Sequence, residues 1–554
     1  MTTNEEREVI LQVKDLAVDF DTEMGVVHAL KDVSFELHRG ETLGIVGESG
    51  SGKTTTMSAV IGLLAGNGHV SGGEILFQGR DLAKLTEREY QKVRGSQIGL
   101  IPQDPMSSLN PMLTIGNQIE ETLLTHKKAT KQNVRKLAVE ALQSAGLADA
   151  GDRMKQYPHE FSGGMRQRVL IGIGLSCAPQ LLIADEPTSA LDVTVQRQIL
   201  DNLERLTQEM GTSMVLITHD LGLAAERCER VLVIYKVEIV EQGPALEILQ
   251  SPQHEYTKRL VQSAPSIASA RKASLSTAQD AADQLAAEQA EIDPIITVRD
   301  LNKIYRVRDS STGKRRDFQA VKDVTFDMFP SKTLAIVGES GSGKSTSARM
   351  VLRLEKPTSG EINFSGRNVA SLSGIELKKA RRRMQPIFQD PYSSINPMAS
   401  IEEVLIEPLV VHRVGTSKER KARARELLDL VSLPSSYLDR FSSELSGGQR
   451  QRIAIARALA LNPEVVICDE PVSALDVLVQ AQILELLQSL QNDLGLSYLF
   501  ISHDLAVVRL IADHVLVMRR GEVVEQGAAE ELFQNPQHEY TKQLINSIPG
   551  KDLL

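Results

Sequence analysis

The sequence predicts an α/β fold built twice in tandem, each copy having a glycine-loop core, an antiparallel β subdomain ahead of it and a helical insertion within it. Three observations carry this. Gly47-Glu48-Ser49-Gly50-Ser51-Gly52-Lys53-Thr54 fits the phosphate-binding pattern G-x-x-x-x-G-K-[ST] and lies between an apolar run, Leu43 to Val46, and a helix-like segment, Thr54 to Leu64. Gly338-Glu339-Ser340-Gly341-Ser342-Gly343-Lys344-Ser345 repeats the pattern after a second apolar run, Leu334 to Val337. Later residues recur at one offset of 284: Ser162 with Ser446, Asp185 with Asp469, His219 with His503, Tyr256 with Tyr540. The loop lysines are 291 apart, so the first copy carries extra residues between its loop and its later motifs. A period this long marks a duplicated domain, not a solenoid unit.

Taken in order, each copy opens on alternating apolar positions, Leu11, Val13, Leu16, Val18 and Phe20, then Ile296, Val298, Leu301 and Ile304. That two-residue period predicts half-buried antiparallel strands. Gln103 to Ser162 and Gln389 to Ser446 are rich in Glu, Ala, Lys and Leu and are expected to form the helical insertions. Short apolar strands return at Leu181–Ala184, Met214–Thr218 and Val231–Ile234 and at the matching later positions, predicting a largely parallel sheet flanked by helices. Ser263 to Glu291 has little with which to build a core and reads as a tether, with a short solvated helix conceivable at Ala278–Ala290. The expected domains are therefore 1–261, a linker at 262–293, and 294–554. Val237 stands where the second copy has Gly521, so that strand-to-strand turn is expected to differ between copies.

Composition narrows the function. A net charge of −10 offers no basic surface for nucleic acid, and no run of eighteen apolar residues is present to span a membrane. Met1 to Glu8 lacks the apolar core of a secretory signal. Cys177, Cys228 and Cys468 have no paired spacing, which argues against structural zinc, a cluster or disulfides and favours a reduced, cytoplasmic setting.

The chemistry is readable in the motifs. Loop glycines let backbone N–H groups approach a polyphosphate, and the following helix directs its positive end at the charge. Lys53 and Lys344 would reach the terminal phosphates, and the Thr54 and Ser345 hydroxyls would ligate Mg²⁺. The apolar strands 181–185 and 465–469 end in Asp185-Glu186 and Asp469-Glu470. The aspartate can act on Mg²⁺ through its shell while the glutamate polarises the attacking water. Ser162-Gly163-Gly164 and Ser446-Gly447-Gly448 precede helical segments; such a turn can cap a helix or offer N–H groups to an anion, and its repetition about twenty residues before each acidic strand favours the second role.

Phosphate loop, glutamine after a strand, Ser-Gly-Gly signature, acidic strand, Ser-Ala-Leu-Asp loop and histidine together resemble the ATP-binding cassette family, twice and over nearly the whole chain. The resemblance implies two tandem cassette domains hydrolysing ATP with Mg²⁺. It implies that each ATP lies between one copy's phosphate loop and the other copy's signature. One site would then combine Lys53, Gln103, Asp185, Glu186 and His219 with Ser446, Gly447 and Gly448. The other would combine Lys344, Gln389, Asp469, Glu470 and His503 with Ser162, Gly163 and Gly164.

Glu186, His219, Glu470 and His503 are the implied catalytic groups, each histidine bonding the γ-phosphate. Nucleotide contacts extend to Gly47, Ser49, Gly50, Ser51, Gly52 and Thr55 in the first copy, and to Gly338, Ser340, Gly341, Ser342, Gly343 and Thr346 in the second. Gln103 and Gln389 join the metal ligands Thr54, Asp185, Ser345 and Asp469. Phe20 and Tyr305 stand where the family stacks an aromatic ring on adenine, a place an ordinary strand-end aromatic would also fill.

Gln103-Asp104-Pro105-Met106-Ser107-Ser108-Leu109-Asn110-Pro111, its counterpart Gln389 to Pro397, and the endings Pro252 to Thr257 and Pro536 to Thr541 are similar to the oligopeptide, dipeptide and nickel uptake branch. That implies an importer ATPase working with two transmembrane permease subunits and an extracytoplasmic substrate-binding protein. It would sit peripherally at the cytoplasmic face of the inner membrane and touch the membrane only through these partners. The loops after each glutamine are the expected coupling surface. The rival is a soluble twin-cassette ATPase acting on ribosomes or nucleic acid; the short, neutral-to-acidic linker and acidic chain argue against it.

Overall fold

A computed structural model of the chain describes residues 7–23, 25–189, 191–264, 292–308, 315–473 and 475–550. The chain divides into two compact units. In the first, β1 (Val9–Thr22) and β2 (Gly25–His38) form a long antiparallel pair whose buried positions follow the period read from the sequence. After them come β3 (Thr42–Val46), β4 (Gly68–Phe77) and β5 (Arg80–Asp81), and β4 and β5 complete a four-stranded sheet of order β2-β1-β4-β5.

The strands β6 (Ile98–Ile101), β7 (Leu181–Asp185), β8 (Ser213–Thr218), β9 (Arg230–Tyr235) and β10 (Glu238–Pro244) join β3 in a six-stranded sheet of order β10-β9-β3-β8-β7-β6. Every neighbour pair is parallel except β9–β10. Strands β7 and β8 are buried at every residue, as continuous apolar runs covered on both faces require.

The second unit repeats this. A four-stranded sheet is formed by β11 (Ile296–Arg308), β12 (Arg315–Met328), β14 (Ser359–Phe364) and β15 (Arg367–Asn368), and β13 (Thr333–Val337) lies between β12 and β14 in sequence. With β16 (Met384–Ile387), β17 (Val465–Asp469), β18 (Ser497–Ile501), β19 (His514–Arg519) and β20 (Glu522–Ala528), β13 builds the order β16-β17-β18-β13-β19-β20.

Alternate residues of β13 enter different cores. Leu334 and Ile336 pack with Leu499, Ile501 and Leu516 and with side chains of the antiparallel sheet, whereas Ala335 and Val337 pack with residues of helices Leu505–Ile511 and Glu539–Asn546. Each fully buried Leu, Ile or Val side chain contributes roughly 1.5–3 kcal/mol, so the strand is clamped from both faces.

The insertions are helical as expected. In the first, Ile115–Thr125 and Val134–Ser144 bury Ile115, Ile119 and Leu123 against Ala138 and Leu142, an every-fourth-residue stripe. In the second, Ile401–Val411 and Ser417–Leu430 both begin with capping boxes, Ser400 with Glu403 and Thr416 with Glu419.

Two expectations need correction. The helix after the first phosphate loop ends at Val60, not Leu64. The helix is closed by Gly62, which turns with φ +63° under the Tyr90 ring; its N–H and that of Leu63 return to the Ala59 and Ser58 carbonyls at 3.2 and 2.8 Å, and the Arg94 guanidinium takes the carbonyls of Ile61 and Gly62 at 2.7 and 2.6 Å. The β9–β10 turn does not differ in outline from β19–β20: Lys236 and Val237 have φ +46° and +67°, Arg520 and Gly521 +50° and +89°. Val237 adopts the left-handed conformation that glycine holds in the other copy. The linker expected at 262–293 lies outside the described residues save for 262–264 and 292–293, and Ala278–Ala290 lies wholly outside them; the helix Glu255–Ser263 precedes it. Among the described residues, no helix is long and apolar enough to cross a membrane.

Candidate functional site

Each phosphate loop leaves the C-terminal end of the central strand, β3 or β13, and runs into a helix, Lys53–Val60 or Lys344–Val351. The first glycine is obligatory for space: a Cβ on Gly47 would lie 2.2 Å from the Ile234 carbonyl oxygen, and one on Gly338 2.1 Å from that of Met518. At Gly50 and Gly341 a Cβ would meet nothing within 4 Å, so the crest of the loop faces open space.

Lys53 is buried and donates to the carbonyls of Gly47 and Glu48 at 2.8 and 2.7 Å; Lys344 donates to Gly338 and Glu339 at 2.6 and 2.8 Å. Burial holds the Lys344 ammonium below its ordinary pKa despite the nearby Glu470 and Asp469 carboxylates.

These loops fit a polyphosphate. The Ser51 and Ser342 hydroxyls are buried without hydrogen-bond partners, a lysine lies in each loop, and neither helix N-terminus carries a side-chain cap. A hard divalent cation also fits the oxygens present. The Thr54 hydroxyl lies beside Asp185, whose Oδ1 is buried and unpartnered, and the Ser345 hydroxyl donates to Asp469 Oδ1 at 2.9 Å. Burial raises both aspartate pKa values above the carboxylate norm, which a bound cation would reverse.

The adjacent glutamate collects two of the residues singled out from sequence. Gln103 Nε2 donates to Glu186 Oε2 at 3.0 Å, and His219 Nδ1 lies 3.3 Å from Oε1. Gln389 and His503 engage Glu470 in the same way at 2.8 and 3.2 Å. The glutamine and histidine thus meet on the carboxylate, a link that spacing alone did not suggest. Burial opposes ionisation of each glutamate, but the histidine bond, its charge and the loop lysine outweigh it and hold the pKa below the usual range. Burial likewise opposes protonation of each histidine, and the glutamate overcomes it, raising the pKa. An ionised carboxylate held by two donors can accept a proton from water.

Both glutamates also sit at positive φ, +44° for Glu186 and +49° for Glu470, their N–H groups bound to Ile217 and Ile501 carbonyls at 3.0 Å. This strained backbone was invisible in the sequence, because Glu has no preference that marks it.

Ser162 and Ser446 cap the helices Gly163–Leu175 and Gly447–Leu459, accepting from Met165 and Gln449 N–H at 3.4 and 3.3 Å. The capping role is therefore present, and both serines stay exposed. A Cβ on Gly448 would meet Val479 at 2.4 Å, and one on Gly164 would meet Val195 at 2.7 Å, so the signature glycines allow the next helix to approach.

Phe20 packs its ring on Gly68 and joins the first unit's core edge. Tyr305 lies under Lys303 at 4.9 Å and donates to Glu355. Ser49, Thr55, Ser340, Thr346, Gly52, Gly163, Gly343 and Gly447 fall in the loops and first turns where the pattern put them.

The family model for the ABC transporter matches residues 30–189 and again 321–473. The chain belongs to the ABC transporter family. The model described as "Oligopeptide/dipeptide transporter, C-terminal region" matches residues 240–289 and 524–552. The chain is 43% identical over 98% of its length to the Glutathione import ATP-binding protein GsiA of Salmonella choleraesuis (strain SC-B67), covering 90% of that protein. It is 44% identical to the GsiA of Escherichia coli (strain K12), covering 98% of this chain and 89% of that one. A dimeric post-hydrolysis structure of the cassette MJ0796 bound to ADP and Pi matches 42% of this chain and 98% of its own at TM-score 0.39 and 31% identity. As a twin-cassette ABC protein, the chain binds ATP and is an ATPase.

Proposed function

We propose that this ATPase powers import of a small peptide-class solute, glutathione or a short peptide, through separate permease subunits fed by an extracytoplasmic binding protein. The observation that carries the proposal is the full-length similarity to glutathione import ATPases, joined to a complete phosphate loop, acidic strand, glutamine and histidine in each unit. The domains are 1–261 and 294–554, with 262–293 as tether.

In this reading Thr54 with Asp185, and Ser345 with Asp469, hold Mg²⁺, with Gln103 and Gln389 joining when nucleotide is bound. When bound, the ion neutralises phosphate charge. Lys53 and Lys344 hold the terminal phosphates. Glu186 and Glu470 take a proton from the attacking water, and His219 and His503 keep those carboxylates ionised and oriented. Phe20 and Tyr305 stack on adenine.

Each phosphate loop is paired, as the family resemblance implies, with the other copy's Ser-Gly-Gly turn in the ATP-loaded protein. Replacing Ser446 should therefore weaken turnover at the site containing Lys53 and spare that of Lys344. The protein is held peripherally at the cytoplasmic face of the inner membrane by its permeases.

The exposed apolar residues after each glutamine support a docking role: Met106 and Met112 are 63 and 81% exposed, Tyr392 and Met398 63 and 83%. Asp104 and Asp390 cap the short turns there, and Asn110 and Asn396 each accept the N–H of the exposed methionine two residues on. Growth of a strain dependent on imported glutathione or dipeptides, with this chain as the sole ATPase beside its own permeases, tests the solute. Failure on every peptide-class solute with intact ATPase activity would count against the assignment.

A further inference from the structure

Two tyrosines remote in sequence end on the phosphate loops. Tyr256 is 208 residues from Glu48 and Tyr540 is 201 from Glu339, yet each phenol oxygen accepts that glutamate's backbone N–H at 3.0 Å. Both rings are buried, at 3% and 1% exposure. Their ring neighbours differ: Tyr256 stacks on Tyr235 at 4.0 Å, while Tyr540 lies under the Arg519 guanidinium at 4.7 Å. The packing partner changed between copies and the hydrogen bond did not.

The segment behind each tyrosine is a bracket. Glu241 of β10 accepts the N–H groups of Gln253 and His254 at 2.7 and 3.0 Å, and Glu525 of β20 accepts those of Gln537 and His538 at the same distances. His254 and His538 then cap the helices by accepting the tyrosine N–H at 3.2 and 3.1 Å. In the second unit Tyr540, Leu544 and Ile545 share a core with Ala335 and Val337 of β13, the strand that feeds the loop.

At the loop, the glutamate peptide is pinned at both ends. Its N–H meets the tyrosine. Its carbonyl accepts Lys53 Nζ and Ser51 N–H at 2.7 and 3.2 Å in the first copy, and Lys344 Nζ and Ser342 N–H at 2.8 and 3.1 Å in the second.

We propose that Tyr256 and Tyr540 are positioning residues that hold the phosphate loops in their nucleotide-receiving form, so that the C-terminal segments of the oligopeptide/dipeptide type set nucleotide affinity. The proposal rests on the reading of these loops as the nucleotide sites. Neither tyrosine touches a reacting atom; each acts through the Glu48 or Glu339 peptide. Phenylalanine keeps the ring and its packing but strands a partly buried N–H, a loss that typically shifts an equilibrium about three- to tenfold.

The test is Tyr256→Phe with Tyr540→Phe in the full chain, read by equilibrium titration with a fluorescent ADP analogue. Amide exchange over residues 47–52 and 338–343, thermal unfolding without nucleotide, and steady-state ATPase kinetics complete it. The analogue's Kd and the KM for ATP should both rise about three- to tenfold, kcat should change less than twofold, and loop amides should exchange faster. Lys53→Ala with Lys344→Ala is the control and should abolish analogue binding. Retained binding in the control would overturn the loop reading itself. With that control intact, wild-type Kd and loop exchange in the phenylalanine variant would show that the rings only fill space, whatever happens to the melting temperature, and would overturn the proposal. Should the phenylalanine pair not fold, Glu241→Gln with Glu525→Gln loosens the same bracket. It should raise Kd in the same direction, and an unchanged Kd overturns the proposal equally.

Discussion

In the proposed reaction the chemistry comes down to Glu186 and Glu470, whose pKa values their histidines lower and which are tied to their glutamines and held at positive φ. Replacing both with glutamine removes the proposed proton acceptor and keeps the shape. Phosphate release should fall by ~10²–10⁴ while nucleotide binding persists, because loss of a general base costs about that much. Release near the wild-type rate would show that another group activates the water. A second residue-scale prediction comes from Val237, whose β-branched side chain is held at φ +67° where the other copy has Gly521 at +89°. Val237→Gly should stabilise the first unit by about 1 kcal/mol in chemical denaturation, the lower end of the cost of such strain. Gly521→Val should destabilise the second by at least as much, since its Cβ would lie 3.0 Å from the Ala320 carbonyl oxygen. Equal stability for both swaps would mean the turn relaxes.

At the scale of elements, the repeat and the two periods made both sheets and the insertions legible, because continuous apolar runs such as Leu181–Ala184 and alternating ones such as Leu11–Phe20 report burial directly. The end of the first helix was misread although its signal is local: Gly62, at φ +63°, and Leu63 return their N–H groups to the Ala59 and Ser58 carbonyls, a glycine cap inside the stretch expected to be helical. The bracing of the Ile61 and Gly62 carbonyls by Arg94, more than thirty positions away, was not legible. The convergence of Gln103 and His219 on Glu186 was hidden for the same reason: motif spacing names the participants but not which acceptor a side chain reaches. The Tyr256 motif was visible as a repeat, and its target was not.

The bracket also carries a pH prediction. Burial raises the pKa of Glu241, but the Thr257 hydroxyl and the Gln253 and His254 N–H groups outweigh it and lower the pKa below its ordinary 4.5. A carboxylate depressed on folding stabilises the protein above the unfolded value, and that contribution disappears as pH falls through the folded value. Glu241→Gln should therefore lower stability by about 1 kcal/mol at pH 7, discounted for partial exposure, and the gap to wild type should close below about pH 4.5. A gap that widens in acid would contradict this assignment.

For the whole molecule, the decisive question is how an ATPase with no described helix able to cross a membrane delivers work to one. The exposed methionines and Tyr392 offer an apolar contact of the kind that a permease helix would cover, and capped turns hold them outward. Met106 and Tyr392 also meet the signature helices directly: Arg166 bonds the Met106 sulfur, and Arg450 lies 3.7 Å over the Tyr392 ring. A partner pressing on these side chains would thus push on the helices that begin with Ser162 and Ser446. The predicted consequence is recruitment by partners alone. Expressed by itself the chain should fractionate away from membranes, and coexpressed permeases should carry it into the membrane fraction. Met106→Ala with Tyr392→Ala should reduce solute uptake severalfold more than basal ATP hydrolysis, because the contact is lost while the phosphate loops and Glu186 and Glu470 are untouched. Uptake and basal hydrolysis falling together would place these side chains in the nucleotide machinery instead, and stable binding of the isolated chain to protein-free vesicles would remove the need for a permease.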